Sequence, residues 1–94
     1  MKLRMDDLMG KKVMGQQAKL LGDVCDIEFD EKTMQLTKIC VQIKDDVAEE
    51  IGLDKSRLRG SIKIDIPVTA IKAISDVVML DGSVKELGEI AVKR

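Results

Sequence analysis

A chain of 94 residues with 16 basic and 17 acidic side chains, 45% hydrophobic content and a net charge of −1 is read as one domain over residues 1–94, with an aliphatic core and no strong field of either sign. Phe29 is its single aromatic residue and histidine is absent. This excludes a Ser/His/Asp or Cys/His dyad, imidazole metal ligands, an imidazole pH switch and a stacking platform for single-stranded nucleic acid.

The balanced charge also argues against steering of the whole domain toward nucleic acid or anionic lipid. No apolar run approaches the roughly 18 residues that span a bilayer. In MKLRMDDLM, acidic residues stand where a signal peptide would be apolar, so a cytoplasmic chain without membrane insertion is expected. No residue set calls for a metal or a cofactor.

In chain order, Asp6 and Asp7 are placed to cap one short turn carrying Leu8 and Met9, which Gly10 ends. Lys11 to Gly15 reads as a first strand with Val13 inward, and Ala18 to Gly22 as a turn. From Asp23 the chain alternates, Ile27 and Phe29 facing one way and Asp26, Glu28 and Asp30 the other. DEKTMQ supplies a hairpin loop. Leu36 to Ile43 then sets Ile39, Val41 and Ile43 against Lys38, Cys40 and Gln42, completing a meander of three antiparallel strands.

The period changes at KDDVAEEIGL. Asp46 and Glu49 are spaced as a capping box, Val47, Ala48 and Ile51 form a buried stripe, and Gly52 closes the helix. The polar loop Asp54 to Gly60 follows. In SIKIDIP, Ile62, Ile64 and Ile66 point inward until Pro67 stops the strand. AIKAI and DVVML read as two more short strands, and Ser83 with Glu86 as a second capping box before a terminal helical turn at Leu87. About six short strands, one helical insertion and a C-terminal helical turn predict a mainly β fold. Its form is a small, strongly bent antiparallel barrel closed on itself or on another chain.

Certain residues from Leu8 to Leu80 match a known pattern. They are Gly10 to Val13, Leu21–Gly22, and Val24, Asp26 and Ile27, followed by Ile66, Pro67, Ile71, Ile74, Asp76, Val77 and Leu80. In that order they resemble the PRC-barrel family, in which a Gly-Lys-Lys-Val-like strand leads through a Leu-Gly turn to a Val-x-Asp strand. The resemblance implies an adaptor without catalytic residues or cofactors. Relatives include the H subunit of the photosynthetic reaction centre, part of the ribosome maturation factor RimM, and short archaeal proteins associated with the FtsZ- and SepF-based division apparatus. The helical insertion and short length are most similar to the archaeal group. They imply recruitment to the division site and a SepF-like adaptor as one partner.

Three features carry the remaining expectations. Pairing Ile27 with Ile39 needs an odd loop or a bulge, and sets Cys25 inward and Cys40 on the outer face, both as thiols. A symmetric loop from Glu31 to Met34 would instead set the two cysteines opposite each other and leave a disulfide open. The row Asp26, Glu28 and Asp30, with Lys38 across from Glu28, reads as a solvated face or as a docking strip for a basic partner. Lys55, Arg57 and Arg59 form the basic cluster, read as a solvated loop or as phosphate contacts in a RimM-like, RNA-binding alternative. The tentative partner surface is apolar: Met5, Leu8 and Met9 at one end of the chain, and Val84, Leu87 and Ile90 at the other. These two sets either lid the barrel or mediate pairing with a second copy or a related PRC-barrel chain.

Overall fold

Isoleucine and valine on alternate positions force one face of each strand away from water, and the sheet that results is organised by that alternation. The computed structural model describes residues 4–50, 62–90 and 92–93. Among these, helix α1 (Met5–Leu8) precedes strands β1 (Lys12–Met14), β2 (Leu20–Asp30) and β3 (Gln35–Ile43). Helix α2 (Asp45–Glu50), strands β4 (Ile62–Pro67), β5 (Ile71–Ile74) and β6 (Val77–Leu80), helix α3 (Val84–Ile90) and strand β7 (Val92–Lys93) complete the order.

The described strands form one sheet of order β5-β6-β1-β2-β3-β4-β7. The mainly β, bent architecture is as expected, with two corrections. The sheet is mixed, because β6 lies parallel to β1, Val13 beside Val78. The order also does not close among the described residues, so this is a barrel-like open sheet. Val13, Ile39, Val41, Ala48, Ile66 and Val78 are the most deeply buried part of the described core, which Leu8 and Leu87 cover from the helices.

The turn expected over Ala18 to Gly22 is mostly strand, since β2 begins at Leu20. The reversal comes earlier, where Gln17 (φ 62°, ψ 28°) and Ala18 (φ 57°) are both left-handed. Gly15 donates its N–H to the Lys19 carbonyl and closes a β1–β2 hairpin. Two successive positive φ values match a type I′ turn, normally announced by Asn-Gly. Gln-Ala gives no such sign. Leu21 and Gly22 therefore lie inside β2, and Gly22 is required there for room. A Cβ on it would sit 2.0 Å from the Gln42 carbonyl oxygen, in the backbone of β3.

The helix ends follow local chemistry. Ser83 caps α3 as expected: its Oγ accepts from the Glu86 N–H at 3.2 Å and donates to Glu86 Oε1 at 3.1 Å. At α1 it is Asp7, from the third helical position, that reaches back to accept the Arg4 N–H at 2.9 Å. Gly10 takes φ 81° just beyond that turn.

Asp46, expected as a cap, stands inside α2, one residue after the helix begins. Its carboxylate and that of Glu50 share one helix face and hold Lys19, Nζ lying 3.0 Å from Glu50 Oε1 and 3.6 Å from Asp46 Oδ2. Val47 and Ala48 are buried as expected, while Ile51 and Gly52 lie outside the described residues.

Glu50, by hydrogen bond and charge and with help from Asp46, holds the Lys19 pKa above its ordinary value. Partial desolvation of Asp46 pushes its pKa upward. The charges of Lys44 and Lys19 and the backbone N–H groups of Val47 and Asp46 itself outweigh it, so the net direction is down. The lysine's contribution is thus complete below the unfolded value of about 10.4 and fades as pH rises through the folded one. The aspartate's is present above about 3.9 and fades as pH falls through its lowered folded value.

Two measurements check this account. Gly22→Ala should lower stability by about 1–3 kcal/mol in urea unfolding, because neither backbone can retreat without breaking the β2–β3 ladder. An unchanged midpoint would mean that the two strands separate there freely. Lys19→Gln should cost stability at neutral pH in dilute buffer, and the difference should shrink in high salt, since all three groups are solvent-facing.

Candidate docking surface

Helix α1 is held to β2 by its backbone. Gly10 donates to the Val24 carbonyl at 2.8 Å, and Val24 returns the contact to Lys11 at 2.9 Å. One turn placed this way buries Leu8 and leaves Met5 and Met9, four residues apart, on the outside. Met5 is 58% exposed.

Beside it run the distal halves of β2 and β3. Arg4, Met5, Leu8, Ile27, Phe29 and Leu36 line a shallow groove of about 140 Å³. Phe29, the lone aromatic residue, is 45% exposed on that groove. An apolar groove with a cation at its rim suits burial of another apolar surface. Its side chains offer no pair for acid–base chemistry.

The loop beyond the groove is also apolar at its tip. Met34 is 74% exposed and left-handed, with φ 59°. Its N–H donates to the Asp30 carbonyl at 2.7 Å and closes a tight turn. Asp30 Oδ1 accepts from the N–H groups of Lys32 (2.8 Å) and Thr33 (3.4 Å). An unbranched apolar residue in this conformation costs roughly 1–2 kcal/mol against glycine or asparagine. Met34 is thus both strained and solvent-exposed.

The expected surface residues divide. Met5 and Met9 are exposed as the docking reading needs, whereas Leu8 and Leu87 belong to the core. A helical turn docked on a sheet must bury one side chain, and each of these leucines fills that position. Leu87 packs with Leu21, Ile43 and Val47, in a different crevice from the α1 groove. The two chain ends therefore do not build one surface. Ile90 is exposed on α3, and the Val84 side chain lies outside the described residues.

Phe29 and Met34 were not singled out from the sequence as partner residues. The signal available was an aromatic and a methionine flanking a hairpin loop.

In the acidic row, Glu28 does face Lys38. Two of the three carboxylates serve the backbone, however: Asp30 as above, and Asp26 Oδ1 by accepting the Ile27 N–H at 2.8 Å. Lys55, Arg57 and Arg59 lie outside the described residues.

The PRC-barrel domain model matches residues 2–87, so the chain belongs to the PRC-barrel family. That membership marks a small interaction module of a generally non-catalytic kind. No curated protein is matched by the chain. No helix among the described residues is long and apolar enough to cross a membrane.

Met34→Gly should raise stability by about 0.5–1 kcal/mol in urea unfolding, the relieved left-handed strain exceeding the added freedom of the unfolded chain. A lowered midpoint would show that the methionine is held by contacts that repay its conformation.

Proposed function

We propose that this PRC-barrel chain is an adaptor. It docks a second copy or a related PRC-barrel chain through the groove between α1 and the β2–β3 hairpin, and it serves the FtsZ- and SepF-based division machinery of archaea. The observation that carries the docking reading is the exposed pair Met5 and Phe29 lining one groove. Burying such side chains on a partner returns free energy that their exposure withholds from the monomer. The division role is supported by the likeness of the helical insertion at α2 to short archaeal members. The related-chain partner is supported by the same likeness.

Sedimentation of the purified chain in low and high salt, with capture from an archaeal lysate in both, tests the reading. Self-association or capture of a PRC-barrel or SepF-like chain should survive high salt, since an apolar interface does not depend on counterions. Met5→Ser and Phe29→Ser should each weaken it about tenfold or more. Capture of RNA or ribosomal proteins in low salt alone would overturn it and favour the basic segment holding Lys55, Arg57 and Arg59.

A further inference from the structure

The β2–β3 ladder holds two sulfur atoms in contact. Asp26 pairs with Cys40 and Val24 with Val41, so Cys25 is an extra residue in β2. A bulge of this kind re-aims its side chain, and here it turns Cys25 toward Cys40. The Cys25 thiol lies 3.3 Å from Cys40 Sγ and 3.4 Å from the Cys40 carbonyl oxygen. This corrects the expectation that the two would point to opposite faces, which treated β2 as regular at that point. Both residues are thiols in the structure, Cys25 half-buried and Cys40 only 2% exposed. A bulge sets two residues of one strand against one of its partner, so Cys25 and Asp26 share Cys40 and the two sulfurs come within reach of a bond.

We propose that Cys25 and Cys40 form a reversible dithiol–disulfide site whose co-reactant is a low-molecular-weight disulfide. The difference in access sets the order of events. Cys25, the residue solvent reaches, attacks as thiolate, forms a mixed disulfide with one half of the small molecule and releases the other half as a thiol. Cys40 then gives its proton to water and attacks Cys25 Sγ. The mixed bond breaks, the Cys25–Cys40 bond forms, and the second small thiol leaves. The pair loses two electrons and two protons, and the small disulfide is reduced to two thiols. The linked form closes the hairpin loop between β2 and β3 and removes conformations from the unfolded chain.

Incubation of the full chain with oxidised glutathione, followed by intact-mass measurement and alkylation after unfolding, tests this. The wild type should lose the mass of two hydrogens, block both cysteines to alkylation, return to the dithiol with excess reductant, and melt roughly 10 °C higher when linked. Cys40→Ser should stop at the glutathione adduct on Cys25. Cys25→Ser should leave folded Cys40 unmodified. The wild-type masses alone decide the matter if either variant fails to fold. A stable wild-type adduct, a cross-linked dimer, or two unreacted thiols would each overturn the proposal.

Discussion

The pairing of β2 with β3 runs from Gly22–Ile43 to Asp30–Gln35 and cannot keep one register over that length. The loop from Glu31 to Met34 is symmetric, so the ladder leaves the turn with Phe29 facing Leu36. Continued unchanged, that register would set Ile27 against Lys38 and waste a core position. Thr37 is inserted instead, its hydroxyl donating to the Glu28 carbonyl at 3.1 Å, and Ile27 then meets Ile39. Cys25 is the second insertion and restores the first register before Gly22. Each bulge adds twist and bend. Between them they curl the longest hairpin in the described sheet, and β1 and β4 follow on either side.

This double correction explains what could be read in advance. The alternation of Ile39, Val41 and Ile43 and of Ile62, Ile64 and Ile66 is strong enough to fix strands, inward faces and the Ile27–Ile39 pair. The Ser83–Glu86 spacing fixes a helix start. The sequence pattern demanded either a bulge or an odd loop, and both of the cysteine arrangements weighed hold part of the answer. The ladder takes the shifted register at Ile27, yet the cysteines touch as the symmetric one required.

Other features leave no local trace. A type I′ turn made from Gln17 and Ala18 violates its own residue preferences. The parallel β1–β6 contact joins segments far apart in the chain, and no short-range pattern encodes it. In helices as short as α1 and α3, two or three apolar residues cannot reveal which one faces the sheet. Leu8 and Leu87 thus read as barrel lid or as partner surface alike, and the docking of each turn places them in the core. The groove has the same origin, since Met5, Ile27, Phe29 and Leu36 come together only through the ladder and the seating of α1.

Two modes of association are open to a sheet that does not close, and the surface favours one. An edge strand can recruit another chain by backbone pairing, but β5 is only four residues long and carries exposed Lys72. Short length and an exposed lysine are the usual means of blunting an edge. At the hairpin end the opposite holds: Phe29 and Met5 are exposed on one groove, and in the adjoining loop exposed Met34 adopts a backbone conformation that most residues avoid. The proposed docking therefore rests on side-chain burial in the groove rather than on extension of the sheet.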